Sequence, residues 1–145
     1  MYKLLFLCTG NYYRSRFAES LFNALAPAHH LSWQAFSRGV ALEMGAGNVG
    51  PMSPLAIHTL QAIGITSDGI IRYPMQVQED DLQGADLIIA LQEAEHRPYL
   101  RTRYPAWVDQ VEYWHVRDCV PTPAYDPLQE ITCAVQQLIA RLSTS

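Results

Sequence analysis

A short apolar run that leads through a polar loop into a helical pattern most constrains the fold of this chain. Residues 4–7 are all apolar, which is typical of a buried strand. The next eight residues are Cys-Thr-Gly-Asn-Tyr-Tyr-Arg-Ser, and apolar residues then recur at helical spacing over residues 15–26, until Pro27 ends the pattern. A strand joined by a tight loop to a helix is the first part of a βαβ unit, so a parallel sheet is expected.

The rest of the chain repeats this alternation of strands and helices. Further strands are predicted at residues 32–37, 85–91 and 110–116, and helices at residues 54–64, 78–82, 92–103 and 128–142, the third of them interrupted near Pro98. Four strands separated by helices imply right-handed crossovers and a four-stranded parallel sheet with helices on both faces. The length of 145 residues fits a single domain, residues 1–145. Its ligand crevice is expected at the carboxyl ends of the strands, where Cys8 stands.

Composition and charge argue against several functions. The formal net charge of −4 disfavours a nucleic-acid partner, because phosphate backbones are bound by clustered Lys and Arg. No apolar run reaches the about 18 residues of a membrane span. Residues 4–7 are also too short for a signal-peptide core, so we expect a cytoplasmic protein without a membrane partner. Cys8, Cys119 and Cys133 show no paired metal-ligand spacing and are expected to be reduced thiols.

The loop that follows the first strand has the composition of an anion-binding site. Gly10 can adopt backbone conformations closed to other residues, and successive N–H groups in such a loop turn inward toward an anion. The positive end of the following helix and the planar fork of Arg14 suit a phosphoryl group, and this environment favours the thiolate of Cys8. We predict that Cys8 is a nucleophile at the base of a phosphate cup, since the alternative, a core cysteine, leaves Arg14 without a role. The residues expected to hold the phosphate are Thr9, Gly10, Asn11, Tyr12, Tyr13 and Ser15.

This loop resembles that of the low-molecular-weight protein tyrosine phosphatases, which reads C-x-G-N-x-C-R-S-P. The matching positions are Cys8, Gly10, Asn11, Arg14 and Ser15, and the resemblance extends over essentially the whole chain. It implies a flavodoxin-like α/β/α domain that hydrolyses phosphate monoesters through a phosphocysteine, without a metal or other cofactor. The expected substrate is a phosphorylated protein or a small phosphate ester, with phosphotyrosine and phosphoarginine both open, and the expected state is a monomer.

Two positions in the loop region depart from the family pattern. Tyr13 stands where the family usually has a second cysteine, so the disulfide that protects the nucleophile is absent, and Arg16 replaces the usual proline. Tyr12 replaces a small or aliphatic residue at the pocket rim, and the glycine-rich residues 45–51 are interpreted as a flexible part of that rim. Ser37 matches a family serine that supports the loop through hydrogen bonds, with an ordinary serine at a strand end as an equal alternative.

Two aspartates are candidates for the acid that protonates the leaving oxygen and then serves as the base for water. The family uses an aspartate, usually followed by proline, in the loop after the fourth strand. Asp126 has the proline, but Asp118 lies closer to the end of the predicted strand at residues 110–116, so Asp118 is the preferred catalytic residue. Asp126 then caps the last helix, with Pro127 at its first position.

Two other functions are compatible with the loop. A thiol-dependent arsenate reductase of the same fold needs two further cysteines, typically after the third strand, and residues 92–104 contain none. A non-catalytic phosphate-binding or regulatory module is the other alternative, because the acid lacks the usual proline and Tyr12 is bulky. The charged residues 93–97 are interpreted as solvated helix surface, and the histidines have no metal-ligand spacing.

Overall fold

The structure is a computed structural model that describes residues 1–66 and 71–144. Its strands are β1 (Tyr2–Cys8), β2 (Trp33–Gly39), β3 (Leu87–Ala90) and β4 (Glu112–Tyr113). Its α-helices are α1 (Arg14–Leu25), α2 (Pro54–Ala62), α3 (Glu79–Gly84), α4 (Glu93–Arg103) and α5 (Pro127–Ser143). Short 3₁₀ helices lie at Ala26–His29 and Leu42–Gly45.

The four strands form one parallel sheet in the order β2-β1-β3-β4, which confirms the predicted α/β class. The chain leaves β1 toward β2 on one side and returns to β3 on the other, so β1 marks the point where the strand order reverses. Cys8, the last residue of β1, pairs in register with Gly39 at the end of β2. The crevice where ligands bind in sheets of this kind lies at the carboxyl ends of β1 and β3, on either side of the reversal, and Cys8 stands at its edge.

Alternate residues of β1 enter two separate cores, because successive side chains of a strand point to opposite faces. Leu4 and Phe6 belong to one core, and Leu5 and Leu7 belong to the other, and all four side chains are buried. The first core is completed by Phe17, Leu21 and Phe22 of α1, Ala56 and Leu60 of α2, and Ile131, Val135 and Leu138 of α5. The second core receives Leu82 of α3 and Leu100 of α4. The sheet is thus the middle of three layers, as predicted.

Two details differ from the predicted elements. The regular part of the fourth strand is only Glu112–Tyr113 rather than residues 110–116. Beyond it, the backbone still follows the end of β3, since Trp114 donates to the Ala90 carbonyl at 2.8 Å. The predicted interruption near Pro98 is wrong, because α4 continues through that residue. A proline removes a single intrahelical hydrogen bond, and the burial of Leu100 helps to keep the helix intact.

Gly39 leaves no room for a side chain at the point where β2 approaches the loop after β1. A Cβ atom there would lie 2.5 Å from Leu42 Cδ1 and 2.7 Å from the Thr9 carbonyl oxygen. We expect Gly39→Ala to lower the free energy of unfolding by about 2 kcal/mol, because overpacking forces the backbone to shift. Chemical denaturation measures this loss. Gly84→Ala is the control, since nothing lies within 4 Å of its added Cβ, and equal stability of the two variants would contradict the packing argument.

Candidate active site

Cys8 lies buried at the carboxyl end of β1, directly before the loop that leads into α1. Its Sγ lies 2.9 Å from Ser15 Oγ, in the first turn of α1. The positive end of α1 is therefore directed toward the sulfur and the space above it. The strand, the loop and the helix place these residues as the sequence predicted.

Asn11 shapes the loop from within. Its φ of 51° is in the left-handed region, where asparagine is tolerated better than most residues. Its buried side-chain amide donates to Ser15 Oγ at 2.9 Å and to Ser37 Oγ at 3.0 Å. Because Ser15 Oγ already accepts this hydrogen bond, its own hydrogen is available to the sulfur of Cys8. Asn11 therefore orients the Ser15 hydroxyl toward the sulfur of Cys8.

A buried network supports Asn11 from behind the loop. Ser37 Oγ, which accepts from Asn11, donates to Glu19 Oε1 at 2.7 Å. Arg72 joins the network by donating to Asn11 Oδ1 at 3.0 Å and to Glu19 Oε1 at 3.2 Å. The roles of Glu19 and Arg72 were not predicted, because Arg72 is far from the loop in sequence and belongs to no motif.

Arg14 is held by three groups and keeps one edge free. Its side chain is almost fully buried, and Nη1 donates to the Val116 carbonyl at 2.9 Å and to Gln92 Oε1 at 3.2 Å. Nη2 donates to Glu95 Oε2 at 2.7 Å. Both Nη1 hydrogens are then used, while the Nε hydrogen, 3.8 Å from Asp118 Oδ1, and the second Nη2 hydrogen make no hydrogen bond within the described residues and can turn to a ligand. A phosphoryl group can be bound by this guanidinium in the bidentate manner.

The charges around Arg14 keep it protonated. Burial opposes the charged form, but the neighbouring Cys8 sulfur and the carboxylates of Glu95 and Asp118 outweigh it, so the pKa of Arg14 is raised. Arg14 is therefore a fixed cation at every pH of interest.

The two candidate acids have different positions. Asp118 Oδ1 lies 3.8 Å from Arg14 Nε, and its side chain is 60% exposed. Asp126 instead caps α5, where its Oδ1 accepts from the Leu128 N–H at 2.9 Å. The structure thus brings Asp118 to the mouth of the cup and engages Asp126 in the cap that the sequence suggested as its alternative role.

Tyr12 and Tyr13 connect the loop after β1 to two neighbouring segments of the chain. The Tyr12 hydroxyl donates to the Val49 carbonyl at 2.6 Å, which ties the loop to the rim at residues 45–51. The Tyr13 hydroxyl donates to the Cys119 carbonyl at 3.3 Å, beside Asp118. Burial, together with the charge of Asp126, raises the pKa of Tyr13 to about 12, so this hydroxyl remains a donor.

Arg16, which stands where proline is usual, fastens three backbone segments behind the loop. It is buried, and it donates to the carbonyl oxygens of Asn11 at 3.3 Å, Pro51 at 3.1 Å and Arg72 at 2.7 Å. Burial and the nearby guanidinium of Arg72 lower the pKa of Arg16 to about 10. The side chain is therefore still charged near neutral pH and adds to the positive potential around Cys8.

Glu95 and His96 also belong to the site, so their interpretation as solvated surface is wrong. His96 is 0% exposed, and its Nδ1 accepts from the backbone N–H of Gln92 at 3.1 Å. Glu95 Oε2 accepts from Arg14 and from the hydroxyl of Thr9. The signal that could have found them is their place in the first turn of α4, directly after β3, at the carboxyl edge of the sheet.

Residues 1–66 and 71–144 contain neither a metal-binding cluster nor a membrane-spanning helix. In this part of the chain, no cluster of three or more His, Cys, Asp or Glu side chains is arranged to hold a metal ion. Within the same described residues, no helix has the length and apolar character needed to cross a membrane.

Comparison with known proteins gives the chain relatives over its whole length. The chain is 32% identical to the low molecular weight protein-tyrosine-phosphatase YfkJ of Bacillus subtilis (strain 168), over 98% of this chain and 96% of that protein. The crystal structure of YfkJ superposes with a TM-score of 0.75 at 29% identity and covers 99% of this chain and 96% of that one. A protein-arginine-phosphatase of the same organism is 27% identical over 74% of this chain and 67% of that protein.

A more distant likeness concerns the fold alone. The thioredoxin-dependent arsenate reductase Cg_ArsC1' of Corynebacterium glutamicum superposes with a TM-score of 0.67 at 19% identity, over 99% of this chain and 63% of that one. The family model described as low molecular weight phosphotyrosine protein phosphatase, by contrast, matches residues 3–143. Together with the relatives that match nearly end to end, this match shows that the chain belongs to the low molecular weight phosphotyrosine protein phosphatase family.

Proposed function

We propose that this protein hydrolyses phosphate monoesters through a phosphocysteine at Cys8. The observation that carries this proposal is the buried Cys8 sulfur, which lies 2.9 Å from Ser15 Oγ and close enough to Arg14 for their charges to interact. In the first step, the thiolate attacks phosphorus, the S–P bond forms and the ester P–O bond breaks. The electron pair of that bond goes to the leaving oxygen, which takes a proton from Asp118.

The second step regenerates the thiolate. The Asp118 carboxylate takes a proton from water, the water oxygen bonds to phosphorus and the S–P bond breaks, which releases phosphate. Ser15 donates a hydrogen bond to the departing sulfur and so stabilises it as a thiolate. Arg14 and the N–H groups of the loop stabilise the charge that develops on the phosphoryl oxygens in both steps.

A phosphorylated protein is the favoured substrate. Both the tyrosine and the arginine phosphatases among the relatives are named as acting on proteins. The hydroxyls of Tyr12 and Tyr13, both in the loop after β1, are fixed by backbone carbonyls, so the two rings are held in place. Rigid aromatic rings of this kind suit an aryl phosphate, which favours phosphotyrosine.

The two alternative functions receive less support. A non-catalytic phosphate-binding module does not require an acid at the mouth of the cup, where Asp118 lies. An arsenate reductase requires a relay of thiols, typically from the segment after the third strand. Cys133 lies instead on α5, where its exposed sulfur accepts from the side chain of Gln129 at 3.6 Å.

The direct test is to trap the intermediate. We expect the protein to hydrolyse para-nitrophenyl phosphate with competitive inhibition by vanadate, which mimics the transition state of phosphoryl transfer. Rapid quenching in acid during turnover, followed by peptide mass spectrometry, should show a phosphoryl group on the peptide that contains Cys8. Turnover without this peptide, or a phosphoryl group on another residue, would overturn the proposed mechanism.

A further inference from the structure

One carboxylate oxygen of Glu95 contacts three hydrogen-bond donors of the site. Its Oε2 accepts from Arg14 Nη2 at 2.7 Å, from the hydroxyl of Thr9, and lies 3.2 Å from His96 Nε2. Thr9 is the residue directly after the nucleophile, and Arg14 is the residue that receives the phosphoryl group. A single carboxylate therefore links two opposite ends of the loop.

His96 fixes this carboxylate from the protein interior. Since Nδ1 of His96 accepts from the backbone of Gln92, the ring proton of the neutral imidazole is on Nε2, which faces Glu95 and Thr9. Burial lowers the pKa of His96 despite the hydrogen bond to Glu95, so the ring stays neutral. His96 is thus a neutral donor and adds no positive charge to the cup.

The charge on Glu95 is permanent. Burial raises its pKa, but the hydrogen bonds from His96, Arg14 and Thr9 and the positive charge of Arg14 outweigh burial, so the pKa is held well below its usual range. The side chain is 27% exposed, which leaves it at the edge of the cup rather than sealed beneath it. A bound phosphate dianion therefore shares Arg14 with a carboxylate.

We propose that Glu95 is a positioning residue that holds Arg14 and Thr9 for the phosphoryl group and that weakens, through its negative charge, the binding of free phosphate. This inference rests on the proposed phosphatase function. Positioning requires an oxygen that accepts hydrogen bonds, whereas the weakening of phosphate binding requires a charge. The two contributions can be separated, because glutamine keeps the acceptor and removes the charge, while alanine removes both.

The first measurement is phosphate affinity by titration calorimetry, which needs no turnover. We expect Glu95→Gln to bind orthophosphate about tenfold more tightly than the unmodified protein, because like charges that share one guanidinium repel each other. Arg14 keeps its place in this variant, because glutamine retains an acceptor oxygen and the bonds to Gln92 and Val116 are unchanged. An orthophosphate affinity equal to or weaker than that of the unmodified protein would overturn the charge effect, since the loss of a merely structural contact does not tighten binding.

The second measurement is kcat on para-nitrophenyl phosphate. We expect Glu95→Ala to lower kcat by about tenfold or more, because the guanidinium and Thr9 lose their common acceptor, and Glu95→Gln to restore most of this loss. Glu93→Gln is the matched control, since Glu93 shares the first turn of α4 but pairs with Arg97 at 2.8 Å. Unchanged kcat in Glu95→Ala would overturn the positioning role. If neither the unmodified protein nor any variant hydrolyses para-nitrophenyl phosphate, the proposed function is contradicted. The calorimetric comparison of phosphate affinities still tests the charge effect of Glu95 in that case.

Discussion

The Cys8→Ser variant is expected to lose turnover by about 10⁴-fold or more, as removal of a nucleophile does in other enzymes. A hydroxyl gives up its proton far less readily than a thiol, so the surroundings that favour a thiolate are insufficient to produce an alkoxide. Initial rates of para-nitrophenyl phosphate hydrolysis measure the loss. Serine is close to cysteine in size and can still accept from Ser15, so the loop should keep its shape.

Two observations make this result specific to the nucleophile. Calorimetry should show that Cys8→Ser still binds orthophosphate, because Arg14 and the N–H groups of the loop are unchanged. Cys133→Ser is the matched control, since this sulfur is exposed on α5 and contacts Gln129. A Cys8→Ser variant that retains turnover, or a Cys133→Ser variant that loses it, would show that the chemistry lies elsewhere.

The centre of the site could be predicted because its residues are neighbours in the chain. Cys8, Gly10, Arg14 and Ser15 lie at the junction of a strand and a helix, and that junction alone fixes where their backbones point. The sheet could also be predicted, since the apolar runs at residues 4–7 and 87–91 indicate strands buried on both faces. Local sequence thus determined both the parallel architecture and the position of Cys8.

The groups that hold these residues could not be predicted, because they come from distant segments. Glu95 reaches Arg14 from α4, and Arg72 reaches Asn11 from the segment before α3. In the sequence, Glu95 and His96 stand among charged residues and look like the exposed start of a helix. The packing of α4 against the carboxyl edge of the sheet turns these two side chains inward, and their place directly after β3 is the one sequence signal of that contact.

The fourth strand shows a related limit. Alternation over residues 110–116 predicted a long strand, but regular pairing covers only Glu112–Tyr113. The backbone of residues 114–116 instead places the Val116 carbonyl 2.9 Å from Arg14 Nη1. Part of the predicted edge strand therefore anchors Arg14. An alternating sequence pattern indicates an extended backbone, but it does not show whether that backbone pairs in the sheet or binds a side chain.

Asp118 and Asp126 are expected to differ sharply in what their loss does to catalysis. We expect Asp118→Ala to lower kcat by about 10²–10⁴-fold on phenyl phosphate, because a poor leaving group needs a proton as the P–O bond breaks. The loss should be smaller on para-nitrophenyl phosphate, whose leaving oxygen is stable without one. The position of Asp118, 3.8 Å from the Arg14 Nε that belongs to the free edge, is the reason for this expectation.

Asp126→Ala is the matched control, because it removes a nearby aspartate with a different role. Its Oδ1 caps α5 through the Leu128 and Gln129 N–H groups, so its loss should cost about 1 kcal/mol of stability and leave the dependence of kcat on the leaving group unchanged. Thermal unfolding separates this effect from catalysis. If Asp126→Ala instead abolished the hydrolysis of phenyl phosphate while Asp118→Ala did not, the loop after β4 would have to rearrange when substrate binds. The proximity of Asp118 to Arg14 would then describe only the empty cup.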